Sequence, residues 1–342
     1  MSPGDERLFL DYHLPEELIA QTPVEPRDSS RLLVVRRDTG ALADHRFHEL
    51  PDLLDPGDLL VLNDTRVIPA RLFARRRTGG RVEILLLERR GEEMWEALIS
   101  PLGRLKPGEL LMIEGEADES EVEFVGREGN AGLVRVADEA IIERHGRVPL
   151  PPYIRTPLDD PDRYQTVYAE QAGSAAAPTA GLHFTPTTLK RCRERGIELA
   201  RLTLHVGVDT FRPLASDDID AHVMHSEWYS VPEETVEAIA HCRERGGRVV
   251  AVGTTVTRVL ETLGQHGNVC AAPRSGRTDI FIRPPYRFRL VDALVTNFHL
   301  PRTTLLLLVG AFAGTELIER AYEHAIERRY RFYSFGDAML IV

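Results

Sequence analysis

Two rhythms of apolar and polar positions divide the chain. In residues 1–66 and 148–342, short apolar runs alternate with amphipathic stretches; in residues 67–147, strand-length runs follow one another across glycine-rich turns. Leu59-Leu60-Val61-Leu62, fed by the turn Asp55-Pro56-Gly57-Asp58, is an uninterrupted apolar run of the kind that a strand covered on both faces shows. Further strands are predicted at 31–37, 197–204, 249–252, 290–295 and 332–342. Helices are predicted at 14–21, 187–195, 233–245, 256–264, 303–312 and 315–329. This alternation predicts an α/β domain with a largely parallel sheet.

The middle segment reads differently. Runs at 70–75, 82–89, 95–99, 110–113, 121–125 and 133–136 predict a small antiparallel barrel or sandwich, closed by a helix at 138–145. The expected organisation is one α/β domain made of residues 1–66 and 148–342, interrupted by a β module at 67–147. The proline-dense Val148-Pro149-Leu150-Pro151-Pro152-Tyr153-Ile154 is the junction.

Composition narrows the class. With 342 residues, 43 % hydrophobic and 28 % charged, the chain can bury a substantial core. The apolar run at 305–313 is too short to span a bilayer, the first residues lack a signal-peptide pattern, and three dispersed cysteines suggest neither disulfides nor a metal site. A cytoplasmic protein that needs no membrane is the expectation. The net charge of −11 argues against broad, non-specific nucleic-acid binding. It leaves room for a local patch such as the hairpin tip Arg75, Arg76 and Arg77, or the run Arg328-Arg329-Tyr330-Arg331, although most charge runs are solvated faces.

Candidate chemistry sits at strand ends. Asn63 and Arg66, His205 and Asp209, Gly253-Thr254-Thr255, and Asn297 with His299 each follow an apolar strand. Polar groups at the carboxyl edge of one sheet converge on one crevice. Strand–Gly253-Thr254-Thr255–helix is an anion cradle of free N–H groups and hydroxyls without the lysine of a phosphate-binding loop. The small-residue stretch at 176–186 carries His183 and ends in the helix start Thr185-Pro186. It reads equally as a ligand-lining segment or as a tightly packed turn. His222, His225 and Glu227 read as a hydrogen-bonded group rather than metal ligands. These residues point to an α/β enzyme and leave its reaction open.

Several stretches together resemble the S-adenosylmethionine:tRNA ribosyltransferase-isomerases. They are Asn63-Asp64-Thr65-Arg66-Val67-Ile68-Pro69-Ala70-Arg71-Leu72, Pro149-Leu150-Pro151-Pro152-Tyr153-Ile154, Tyr164-Gln165-Thr166-Val167-Tyr168 and residues 176–184. Leu204-His205-Val206-Gly207, His225-Ser226-Glu227, Val252-Gly253-Thr254-Thr255, Thr296-Asn297-Phe298-His299-Leu300-Pro301 and Tyr330-Arg331-Phe332-Tyr333-Ser334-Phe335-Gly336-Asp337 continue the series in order. The resemblance implies an α/β barrel-like main domain with an inserted small antiparallel β-barrel. It implies transfer and isomerisation of the ribosyl part of S-adenosylmethionine onto 7-aminomethyl-7-deazaguanine at the tRNA wobble position, giving epoxyqueuosine and releasing adenine and methionine. S-adenosylmethionine is then a co-substrate and no prosthetic group or metal is expected. The partners are that tRNA and the donor, and the enzyme is expected to act as a monomer.

On those motif positions, His205, His225, Glu227 and His183 are the expected catalytic residues. Asn63, Arg66, Thr179, Gly181, Gly253, Thr254, Thr255, Asn297 and His299 are the expected substrate-binding residues, and Arg75, Arg76 and Arg77 the tRNA contacts. Asp209 stands where the resemblance predicts glycine, placing a carboxylate near His205 that would raise its pKa, and Ser174 stands where a smaller residue is expected. Arg283-Pro284-Pro285 also departs from the aromatic-Pro-Gly expected there. Two other readings remain at this point: another S-adenosylmethionine-dependent RNA transferase such as a methyltransferase, and a tRNA-binding module without catalysis.

Overall fold

The computed structural model describes residues 11–115, 120–207, 219, 222 and 224–342. Leu59–Asn63, wholly buried, occupies the middle of the main sheet. It pairs in parallel with Glu198–Leu204 on one side and Val249–Val252 on the other, and Val249–Val252 pairs in parallel with Ala293–Asn297. Burial on both faces explains why these segments read as near-continuous apolar runs. Among the described residues the sheet has nine strands, and antiparallel pairings enter on both flanks. Ala338–Ile341 runs against Ala293–Asn297, Arg31–Val35 lies parallel to Ala338–Ile341, and Leu42–Arg46 closes that side. At the opposite side Glu227–Ser230 and Ser275–Thr278 extend the sheet beyond Glu198–Leu204. The sheet is therefore mixed, parallel at its centre, where the alternation of strands and helices predicts a largely parallel one. The added edge strands are short and polar, which hides them from a periodicity argument.

The inserted β-barrel is closed. Around it run Ala131–Arg135, Met94–Ser100, Arg81–Arg89, Arg71–Arg76, Glu109–Ile113 and Glu121–Glu128, each antiparallel to its neighbours. Its interior is filled by alternate side chains such as Leu72, Ile84, Leu86, Phe124 and Val134. The chain enters beside Thr65–Val67, which pairs in parallel with Gln171–Ser174, and leaves past Arg147, bridged to Arg71. Entry and exit are thus pinned together next to the carboxyl end of Leu59–Asn63.

Helix Thr254–Gly264 is buried almost all round, yet it carries Arg258 and Glu261. Both charges have partners, as burial requires. Glu261 accepts the backbone N–H groups of Arg289, Leu290 and Val291 at 2.9–3.0 Å and so fixes the loop that leads into Ala293–Asn297. Arg258 reaches the site described next.

Candidate active site

The carboxyl ends of the central strands are tied together by side-chain amides. Asn63 Oδ1 accepts the N–H groups of Thr65 and Leu204, both at 3.1 Å, while its Nδ2 donates to the Leu204 carbonyl at 3.0 Å. Asn63 therefore seals the place where its strand leaves the sheet and lies 1 % exposed. Asn297 ties the end of its own strand in the same way. It accepts from Thr179 Oγ1 at 3.0 Å and donates to His183 Nε2 and the Tyr333 carbonyl. Ser174 ties a third junction, donating to the Ala176 carbonyl and accepting the Val206 N–H.

Two recesses open along this edge, with Leu305 bordering both. The smaller is a crevice walled by Thr179, Gly253, Thr254, Thr255, Asn297 and His299, with Tyr153 and Tyr333 alongside. Glycine is needed at 253, where φ is +92° just before the helix begins. Thr254 and Thr255 follow in the first turn, where the backbone N–H groups lack intrahelical partners. Among the described residues the crevice holds hydroxyls and dipoles and no charged side chain. His299 is kept neutral there: burial pushes its imidazole down to about 3, and its Nε2 pairs with Thr296 Oγ1 at 2.9 Å.

The larger recess is a cleft of about 870 Å³ between the main sheet and the barrel. Glu88, Arg90 and Glu143 border it from the barrel side; His205, His225, Glu227 and Arg258 border it from the sheet side. His205 Nδ1 meets Thr65 Oγ1 at 2.8 Å, and its ring stacks on Trp228. Burial lowers the His205 pKa and the nearby Glu88 raises it, with burial the larger influence. The imidazole is thus neutral near pH 7 and able to accept a proton. Asp209, which the sequence places near this ring, lies outside the described residues.

Glu227 lies at the bottom of the cleft. Its Oε1 accepts the Gly207 N–H at 2.9 Å, and its Oε2 forms an ion pair with Arg258 Nη1. Arg258 also donates to the Thr278 and Ile280 carbonyls, so one guanidinium fixes the carboxylate and the adjoining edge strand. The sequence pattern does not single out Arg258, because it sits in the middle of an apolar helix; an arginine in a run such as Thr254-Thr255-Val256-Thr257-Arg258-Val259-Leu260 is the available signal. Arg277 and Trp228 escape for a different reason, since each lies on a strand too short to show a period.

Four expectations are corrected or narrowed by these surroundings. His183 is not placed for proton transfer: it borders neither recess, its Nδ1 meets Ser30 Oγ at 2.7 Å, its Nε2 accepts from Asn297, and burial lowers it to about 3. Phe47 stacks on its ring, so it acts as a packed, neutral hydrogen-bonding block. Gly181 likewise faces the core; a Cβ there would stand 2.1 Å from Tyr168 Oη. The small residues at 176–186 split accordingly, Thr179 toward the crevice and Gly181 and His183 into the packing. Arg66 is exposed and borders neither recess. At the hairpin, Arg75 pairs with Glu114 at 2.8 Å, Arg76 makes a two-pronged contact with Glu109, and Arg77 lies 3.5 Å from Glu121. The tip is therefore far less basic than its sequence.

The profile of the queuosine biosynthesis protein family matches residues 9–341. The chain belongs to that family. A Symbiobacterium thermophilum protein named S-adenosylmethionine:tRNA ribosyltransferase-isomerase is 54 % identical over 340 residues, covering 97 % of this chain and 98 % of that one. A Thermotoga maritima protein of the same name is 52 % identical over 336 residues, with the same coverage. The solved structure of the S-adenosylmethionine tRNA ribosyltransferase of Thermotoga maritima matches at a TM-score of 0.57 and 42 % identity, over 98 % of this chain and 100 % of that one. The queuosine family match spans the barrel as well as the sheet. Among the described residues no helix is long and apolar enough to cross a membrane.

Proposed function

We propose that this chain is an S-adenosylmethionine:tRNA ribosyltransferase-isomerase, with S-adenosylmethionine as co-substrate and ribosyl donor. The observation that carries this is identity above one half, over nearly the whole length, to proteins bearing that name. The second substrate is tRNA with 7-aminomethyl-7-deazaguanine at the wobble position, and the product is epoxyqueuosine with adenine and methionine released. The enzyme works in the cytoplasm, where its tRNA is, as a monomer.

The chemistry sets demands that the two recesses can meet. A sulfonium acidifies the neighbouring C5′ protons, so a base is needed, and adenine departs more readily with a proton donor. His205, His225 and the carboxylate of Glu227 are the groups for proton transfer, and all three border the cleft. The Gly253-Thr254-Thr255 turn, with its free N–H groups, suits the methionine carboxylate. Thr179, Asn297 and His299 line the same crevice and orient the donor through neutral hydrogen bonds. Asn63 acts through the strand ends it holds. Of the hairpin arginines, Arg77 is 70 % exposed at its side chain and is the one best placed to meet a tRNA phosphate.

The test is direct: purified protein, S-adenosylmethionine and tRNA carrying the aminomethyl base are mixed, free adenine is followed by chromatography, and the wobble nucleoside is weighed. Adenine together with a nucleoside of epoxyqueuosine mass is the expected outcome. S-adenosylhomocysteine with a methylated nucleoside would replace this reading by methyl transfer.

A further inference from the structure

Among the described residues Trp228 is one of three large apolar side chains left open, with Met112 and Val167; it is 38 % exposed and borders the cleft. Its indole lies against the His205 imidazole, with ring centroids 5.0 Å apart and planes inclined by 24°. Backbone pairing sets this stack, because the His205 N–H donates to the Trp228 carbonyl at 3.1 Å. On the other side Trp228 stands directly opposite Arg277 in the antiparallel pair of Glu227–Ser230 with Ser275–Thr278. Directly opposed residues project from the same face of a sheet, and both of these border the cleft.

An indole and a guanidinium are thus side by side on one wall. A base stacks on the first and a phosphate pairs with the second, which is how single-stranded nucleic acid is commonly held. Arg277 is already aimed by its neighbours: Nε donates to Ser226 Oγ at 3.0 Å and Nη2 to the Ser226 carbonyl at 2.5 Å. Its other N–H groups are held across the cleft by Glu88 on the barrel, Nη1 pairing with Oε1 and Nη2 lying 3.2 Å from Oε2, so a phosphate has to displace that carboxylate to reach the guanidinium.

The proton inventory of His205 fits the same occupant. Thr65 Oγ1 lies 2.8 Å from His205 Nδ1 and 3.4 Å from the Gln171 carbonyl; in the tautomer that suits this occupant, the hydroxyl proton goes to that carbonyl, Nδ1 carries the ring proton and the lone pair is on Nε2. The space beside Nε2 is held open by glycine: a Cβ at Gly173, where φ is +144°, would stand 2.7 Å from that nitrogen.

We propose that Trp228 is the stacking platform for the wobble nucleobase of the tRNA, with Arg277 taking a phosphate of the same strand and His205 Nε2 receiving the proton of the base's aminomethyl group. The proton leaves the ammonium nitrogen, Nε2 becomes N–H, and the positive charge passes from substrate to imidazolium; the amine keeps the electron pair with which it attacks. The donor's adenine is the other flat heterocycle in this reaction, but S-adenosylmethionine has no phosphate for Arg277. This inference rests on the function proposed above.

The chain has two tryptophans, Trp95 and Trp228. The fluorescence that is lost in W228F therefore reports on Trp228. An anticodon stem–loop carrying the aminomethyl base quenches that component in the unaltered protein, and S-adenosylmethionine alone leaves it unchanged. W228A raises the KM for tRNA about tenfold or more, leaves the KM for S-adenosylmethionine unchanged, and W228F recovers most of the loss. R277Q weakens tRNA binding and lowers the slope of log affinity against log salt by about one. Quenching by S-adenosylmethionine alone would assign the platform to adenine and overturn the inference. So would an unchanged tRNA KM in folded W228A. Either result leaves adenine release by the unaltered protein intact, whereas absence of adenine release would remove the underlying function instead.

Discussion

Arg258 and Glu227 form an ion pair buried on both sides, with side chains 5 % and 7 % exposed, beneath the cleft in which the chemistry is placed. Removing one partner of such a pair leaves an uncompensated charge in a poorly solvated site. R258M is expected to lower the unfolding free energy by about 3–5 kcal/mol, and the double variant R258M/E227M to recover some of that. Urea unfolding of the unaltered protein and both variants is the measurement. A loss below about 1 kcal/mol, the value typical of exposed pairs, would show that the pair does not organise the cleft floor.

His205 is the ring that Thr65 and Trp228 hold beside the cleft. Loss of a positioned acid or base costs about 10²–10⁴-fold in rate. H205A is expected to lose adenine-release activity by that order while retaining its melting temperature, and H225A to lose activity as well. T65V should reduce kcat by less than H205A, since it removes only the partner that fixes the tautomer. Near-normal turnover in folded H205A would end its role in proton transfer.

His183 and His299 are fully buried and their imidazoles are pushed to about 3 by desolvation, against about 6.5 in the unfolded chain. The unfolded state therefore binds more protons between these values, and stability falls as the pH drops through 6.5 toward 3. Each ring contributes up to about 1.4 kcal/mol per pH unit in that window. Urea unfolding between pH 7 and 5 should show the decline, and H299Q should flatten it. An equal slope in H299Q would mean that this ring is protonated in the native state.

Gly181 is required by packing. A methyl group there would have to occupy space 2.1 Å from Tyr168 Oη and 2.8 Å from Thr166 Cγ2. Overpacking of this kind costs about 1–3 kcal/mol, so G181A should melt lower while its KM for S-adenosylmethionine in the folded fraction stays the same. A raised KM without a lowered melting temperature would return Gly181 to the ligand wall.

Arg77 is the most exposed of the three hairpin arginines, and Arg76 the most firmly held. R77Q should weaken tRNA binding with a salt slope about one unit shallower, and R76Q should act mainly by releasing Glu109. Filter binding across a salt series separates the two. Identical slopes for R77Q and the unaltered protein would mark the hairpin as a solvated loop.

Local pattern carries the central strands, the long helices and the inserted barrel, because a strand buried on both faces and a strand in a small barrel each leave a period that neighbouring residues alone define. Leu59-Leu60-Val61-Leu62 and the runs between residues 70 and 136 are of that kind. The polar residues after the central strands mark the edge where the recesses open. Tertiary structure decides which of them face a recess. Asn63, Gly181 and His183 have the residue types of a binding site, yet their polar atoms or missing Cβ are used up by partners mostly more than 100 positions away, such as Leu204, Ser30 and Asn297, or by packing against Tyr168. Arg258, Trp228 and Arg277 reach the cleft from a buried helix and two short edge strands, whose placement depends on pairings distant in sequence. A side chain's availability depends on everything packed around it, and those neighbours come from the whole chain.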